Sequence, residues 1–241
     1  MASMNTLNHI AFFWIGQNVA IPTMLVRSIR AAFGPNFNVH QLSDRDTPTV
    51  EGVTTHKKLK LSPHIMVARL EAYAALSIHE PTLFLDADML VLRAFDLPPL
   101  AENEIGVTRR GERDTYRIPE RDWAEFPEFA EKDSAQVMPY IFSFVYVRST
   151  IIFLRQLNAL RKMPKRFHRW YGDQVSLKKE LGTPGRFTIR DFDIDVYNRT
   201  VRSRWEFEEL RAAPEAVCIT HFKGPDGKQA MQESLAVLVP G

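Results

Sequence analysis

The chain has 241 residues, 45% of them hydrophobic and 25% charged, proportions that exclude a disordered or fibrous protein. Lys and Arg number 31 against 29 Asp and Glu; a formal charge of +2 demands no polyanionic partner, so any such reading rests on local patches. The single cysteine, Cys218, excludes an internal disulfide and a cysteine-based zinc site, and suits a cytoplasmic setting.

His9 to Ile15 is an almost unbroken apolar run closed by Gly16, the pattern of a strand covered on both faces. The run is too short to cross a membrane, and no span or anchor is expected. Ile21, Met24, Leu25, Ser28, Ile29 and Ala32 recur at helical spacing, with Pro22 in the first turn and Gly34-Pro35 as the stop. Asn38 to Leu42 reads as a second strand and Ser43 to Thr55 as a polar loop. Ser62 and Pro63 are placed to cap and open a helix whose stripe of Met66, Leu70, Tyr73, Ala74 and Leu76 runs to Ile78. Thr82 to Leu85 is a short apolar strand leading straight into Asp86 and Asp88. This alternation of strand and helix predicts a mostly parallel α/β sheet with its ligand crevice at the carboxyl ends of the strands.

Further on, the pattern predicts strands at Glu104 to Thr108, Val137 to Val147, Phe187 to Phe192 and Ala216 to Thr220. Helices are expected at Thr150 to Leu160, Tyr171 to Leu181 and Lys228 to Leu238. The connection from Arg109 to Ser134 is long enough for a lid and has room for a helix at Arg121 to Glu131. No repeat or linker divides the sequence, which reads as one domain over residues 1–241.

Asp86 and Asp88 carry the strongest chemical signal. In a strand, residues i and i+2 face one way, so two carboxylates can converge on one hard cation whose other positions go to phosphate oxygens and water. Around this pair stand Gly16 after the opening strand, Arg69 on the preceding helix, Asp173-Gln174 opening a later helix, and His221-Phe222-Lys223-Gly224 with Lys228 near the end. With these features in this order the chain resembles glycosyltransferases of the GT-A fold, and among them the retaining family of glycogenin and the bacterial lipooligosaccharide galactosyltransferases. The resemblance implies a Rossmann-like, mostly parallel central sheet flanked by helices, with a small second sheet.

It also implies a nucleotide-sugar donor, a UDP-sugar, and a hydroxyl acceptor. Asp86, Asp88 and His221 would hold a divalent cation; two oxygens and an imidazole suit Mn²⁺, with Mg²⁺ as the other candidate. Such a cation neutralises the diphosphate that a sugar nucleotide loses. Trp14, Gly16, Arg69, Asp86, Lys223, Gly224 and Lys228 would form the nucleotide site, Trp14 being equally readable as core. The family's spacing from histidine to lysine is one residue shorter than that from His221 to Lys228, which leaves Lys223 and Lys228 both in play. Asp173 and Gln174 would line the β-face of the transferred hexose, steady positive charge there and give retention.

Phe142-Ser143-Phe144-Val145 stands where the family carries an Asn and a Gly near the donor sugar. That departure leaves room for a non-catalytic sugar-nucleotide binder. The acid pair also fits a haloacid-dehalogenase-like phosphatase with Asp86 as nucleophile, although Leu90 stands where that class wants a small hydroxyl residue. Two basic clusters, Arg161 to Arg169 with Trp170 beside them and Arg199, Arg202 and Arg204 beside Trp205, are either solvated faces or a groove for a polyanionic acceptor such as DNA or an acidic glycan.

Overall fold

In the computed structural model, residues 7–212 and 216–233 are described. Along β1 (His9–Phe13) the side chains alternate: Ile10 and Phe12 enter one core layer, Ala11 and Phe13 the other. The first layer is closed by Leu25, Val26 and Ile29 of α1 (Ala20–Phe33), the second by Leu70 and Tyr73 of α2 (Ile65–Ala75). β2 (Asn38–Ser43) and β3 (Thr55–Lys58) extend the sheet on one side of β1. β4 (Thr82–Leu85) pairs with its other side, also in parallel.

The sheet has seven strands in the order β3-β2-β1-β4-β7-β6-β8. β5 (Met89–Val91) leaves it for a second sheet, while β6 (Glu104–Arg109), β7 (Tyr140–Val147) and β8 (Thr188–Phe192) complete it. β7 is buried along its whole length and runs antiparallel to both β4 and β6. Arg109 pairs with Tyr140, so residues 110–139 form an excursion that leaves and re-enters the sheet at one place, above the carboxyl ends of its parallel strands.

That excursion holds α3 (Glu120–Trp123), a 3₁₀ turn at Pro127–Phe129 and α4 (Ser134–Val137) in place of the single helix expected at Arg121 to Glu131. Pro127 offers no amide hydrogen to continue α3. Asp133 caps α4 in a capping box with Gln136, which claims Val137 and delays the strand to Tyr140. α2 starts three residues after its expected cap, because the Ser62 hydroxyl accepts from the His64 amide and the Ser62 amide donates to Glu71.

α5 (Ile151–Arg161), α6 (Lys165–Arg169) and α7 (Gly172–Leu181) pack with α2 over one face of the sheet. The chain then passes through α8 (Ile194–Tyr197), β9 (Arg199–Thr200) and α9 (Arg204–Ala212). β10 (Ile219–His221) lies later than the strand expected at Ala216 to Thr220, and α10 (Gly224–Glu233) begins earlier than expected because Pro225 occupies its first turn. Residues 234–238 of that expected helix lie outside the described residues. The second sheet, β5-β10-β9, packs with Met24, Phe207, Phe222 and Met231 in a third core layer.

At the edge away from the carboxyl ends, the buried His40 approaches His9 at 2.9 Å and Thr55 Oγ1 at 2.8 Å. Burial, then the neighbouring His9, lowers its pKa from 6.5 to about 4. The native state thus binds this proton less readily than the unfolded chain. Its contribution to stability is complete above about pH 6.5 and is lost as pH falls toward about 4. Urea unfolding across that window should lose ~2–3 kcal/mol, and His40→Gln should flatten the profile; superimposable profiles for the two proteins would refute the assignment.

Candidate functional site

From β1 the chain goes out to β2 and β3 on one side and returns to β4 on the other, so the carboxyl ends of β1 and β4 frame a crevice. A cavity of about 610 Å³ opens there. Trp14, Arg69, Asp86 and Asp88 line it from the first half of the chain, and Asp173, Gln174, His221, Lys223, Gly224 and Lys228 from the second. Gly16 is the one expected residue that does not line it; its amide donates to Thr47 Oγ1 at 3.0 Å. Trp14 lines the cavity, and its indole N–H donates to the Asn18 carbonyl at 3.1 Å.

Register explains why His221 meets the acid pair. β10 pairs antiparallel with β5 so that His221 faces Met89, and the Phe222 amide donates to the Asp88 carbonyl at 2.9 Å. His221 Nε2 then lies 3.4 Å from Asp88 Oδ1, and ligand atoms of Asp86, Asp88 and His221 all fall within 4.8 Å of one another. The other ring nitrogen, Nδ1, is 3.0 Å from Asn198 Oδ1. Asn198 is fully buried and donates through Nδ2 to Thr108 Oγ1 and Ser143 Oγ. With its Nδ2 toward those two hydroxyls, Asn198 accepts from Nδ1–H and aims Nε2 at the carboxylates, where it donates to Asp88 when protonated and offers its lone pair to a cation when not. Two carboxylates and a neutral imidazole so arranged fit a divalent cation.

Arg69 bridges the two halves of the site. One guanidinium nitrogen is 2.9 Å from Asp86 Oδ1 and another 3.1 Å from Asp173 Oδ2, with the Phe142 ring beneath. Burial works against its charge, but Asp173 and Asp86 outweigh that and hold the arginine firmly protonated. Burial raises the Asp86 carboxyl, partly offset by Arg69. Burial also presses on Asp88, but the hydrogen bond from His221 and the charges of His221 and Lys228 bring it below the usual carboxylate range.

Asp173 and Gln174 reach the cavity through a strained turn. Tyr171 adopts φ 63°, in the left-handed region, and Gly172 then packs so closely that a Cβ there would lie 2.0 Å from the Phe167 carbonyl oxygen. Gly172→Ala is expected to cost ~3 kcal/mol by overpacking and to shift the start of α7; an unchanged denaturation midpoint would mean that the turn yields freely.

Sequence reasoning missed three polar residues of this region. Arg110, at the carboxyl end of β6, donates to Gln174 Oε1 at 2.6 Å. Asp114 accepts from Thr200 and Lys223. Burial pushes Asp114 up, yet Lys223 and Thr200 outweigh it and lower its pKa. Asn198 is the third. Strand-end position could have flagged Arg110, whereas nothing local marks the other two. Of the two lysines, Lys223 is engaged by Asp114, and Lys228 Nζ stands 3.6 Å from Asp88 Oδ2. The basic clusters are largely met by acids: Arg161 by Glu71, Arg166 by Glu128, Arg169 by Glu125, Arg199 by Asp195 and Arg204 by Glu208.

A doubly wound sheet with an acid pair at its switch point, and a histidine delivered from a small second sheet, is the architecture of the GT-A class. No protein-family profile matches the chain, and no curated protein does. Solved structures do. The chain is similar to the galactosyltransferase LgtC in complex with donor and acceptor sugar analogues, with a TM-score of 0.59 and 15% identity, over 96% of this chain and 97% of that one. It is similar to apo glycosyltransferase GlyE of Streptococcus pneumoniae TIGR4, with a TM-score of 0.57 and 12% identity, over 96% and 62% of the two chains. A third likeness is to the apo bifunctional glycosyltransferase WbbM, with a TM-score of 0.53 and 11% identity. The match covers 96% of this chain and spans only half the length of WbbM. The chain therefore has the GT-A fold expected of it. No helix among the described residues is long and apolar enough to cross a membrane.

Proposed function

We propose that the chain is a metal-dependent glycosyltransferase, one cytoplasmic domain over residues 1–241, that moves a hexose from a UDP-sugar to a hydroxyl acceptor with retention. The observation that carries this reading is the meeting of Asp86, Asp88 and His221 at the switch point, on a fold shared with glycosyltransferases. These three residues would hold Mn²⁺ or Mg²⁺, which when bound supplies Lewis-acid neutralisation of the leaving diphosphate.

The protein's own groups do the rest. Lys228, half-exposed beside Asp88, adds a positive charge at the phosphate end. Trp14 offers a ring face for the base. Asp173 and Gln174 line the sugar end of the same cavity, where a carboxylate and an amide favour positive charge at the anomeric carbon. Because Arg69 holds Asp86 and Asp173 at once, the metal end and the sugar end share one rigid wall. The fold likeness gives the phosphatase alternative no support.

The test is calorimetric titration of UDP with and without Mn²⁺, followed by UDP-sugars and a donor-hydrolysis assay without acceptor. Metal-dependent binding with slow hydrolysis supports the transferase. Binding without any turnover would favour the non-catalytic binder, and no binding of UDP or other nucleotides would sink both. Asn198→Leu, which removes the acceptor for His221 Nδ1–H, is expected to weaken Mn²⁺ affinity roughly 10- to 100-fold. Unchanged affinity in a folded variant would remove Asn198 from the site.

A further inference from the structure

The cations lining the cavity differ in how their charge is met. Arg69 has Asp86 and Asp173, Lys223 has Asp114, and Lys228 has Asp88. Arg110 makes no ion pair within 4.0 Å among the described residues, Asp114 and Asp173 acting on it only from further off. Its Nε donates to the Met138 carbonyl at 2.8 Å, one terminal nitrogen to the Asp114 carbonyl at 3.1 Å and the other to Gln174 Oε1 at 2.6 Å. All three acceptors are neutral. A guanidinium has five N–H donors, so two remain, and one carboxylate accepts two.

Three oxygen acceptors from three different segments fix this guanidinium against Gln174. Of the acids that act on Arg110 from further off, Asp114 is engaged by Lys223 and Thr200, and Asp173 by Arg69. Beside Arg110 the wall is apolar: its guanidinium carbon lies 5.7 Å from the centre of the Tyr116 ring. Tyr116 is 43% exposed, and Trp170, also on the cavity wall, 57%. Exposed rings of this kind pack against the apolar face of a pyranose, and a partly desolvated cation beside them favours a charged over a neutral substituent.

Resting on the transferase reading, we propose that the sugar end of this cavity takes a hexuronate, whose carboxylate is received by Arg110. The carboxylate belongs either to the donor sugar or to the acceptor, and one experiment separates the two. UDP, UDP-glucose, UDP-galactose, UDP-glucuronate and UDP-galacturonate are titrated into the full chain with Mn²⁺. The methyl glycosides of the same four sugars are then titrated into its UDP complex. Both series are repeated with Arg110→Gln and Arg110→Lys.

In one series a uronate should bind about tenfold or more tightly than its neutral counterpart, the gain of a charge-assisted pair. Arg110→Gln should erase that preference while UDP affinity holds, and Arg110→Lys should keep part of it. The series that responds names the bearer of the carboxylate. Equal binding of charged and neutral sugars in both series would overturn the inference and leave the donor site standing. A loss of UDP affinity in Arg110→Gln as large as the loss for the uronate would also overturn it, by assigning Arg110 to the diphosphate. Failure of UDP itself to bind the wild-type protein would overturn the transferase reading, and this inference with it.

Discussion

Asp88→Asn should abolish Mn²⁺-dependent binding of UDP and lower transfer on the order of 10³-fold, the scale at which electrostatic stabilisation of a leaving group is lost. The substitution keeps the side chain's shape and removes its charge. Asp88 is the member of the acid pair with the least to do elsewhere: among the described residues its carboxylate is within 4 Å of the cationic groups of His221 and Lys228 alone, and its backbone carbonyl, which anchors β10, is untouched. Stability should therefore change little. Asp86→Asn is the less clean experiment, because it also strips a partner from the buried Arg69. Calorimetry with and without metal, run beside urea unfolding, reads both quantities. An Asp88→Asn protein that still binds UDP in a metal-dependent way, within a few-fold of wild type, would remove Asp88 as a ligand.

What the sequence discloses about this site follows the range of the interactions. The acid pair is legible because a strand and a two-residue spacing are enough to aim both carboxylates one way, and β4 does end at Leu85. The direction of β7 is not legible. Its eight residues are buried on both faces, and such a run reads the same whichever way it enters the sheet. Its antiparallel ladders with β4 and β6 set that direction, and the pairing of Arg109 with Tyr140 puts the excursion carrying Arg110 and Asp114 beside the cavity. His221 is recognisable through family resemblance, but its partner Asn198 is not. That contact depends on a two-residue strand, β9, lying parallel to β10, a pairing of residues 21 apart that no local pattern encodes. The ends of α2 and α10 moved for smaller reasons: hydrogen bonds at Ser62 and a proline able to open a helix as well as a turn.

Arg69→Met is expected to have the largest effect on stability, a loss of ~3–5 kcal/mol, the usual cost of breaking a buried ion pair by removing one partner. Methionine preserves most of the packing over Phe142 and none of the charge. Asp173, whose side chain is 3% exposed, would then be left with the Gln174 amide and without a counter-ion. Asp86, at 27%, can still draw on solvent. The two carboxylates should thus contribute unequally, and a cycle separates them. Arg69→Met with Asp173→Asn should recover much of the loss, because the stranded buried charge is gone, whereas Arg69→Met with Asp86→Asn should recover less. Mn²⁺ should restore part of the stability of Arg69→Met by giving Asp86 a new cation, and none of what Asp173 lost. Urea unfolding of the six proteins of the two cycles, wild type, the three single variants and the two double variants, with and without metal, reads these differences directly. A change below about 1 kcal/mol in Arg69→Met, the level of an exposed ion pair, would mean that water reaches this wall and that Arg69 does not rigidly join the metal end of the cavity to the sugar end.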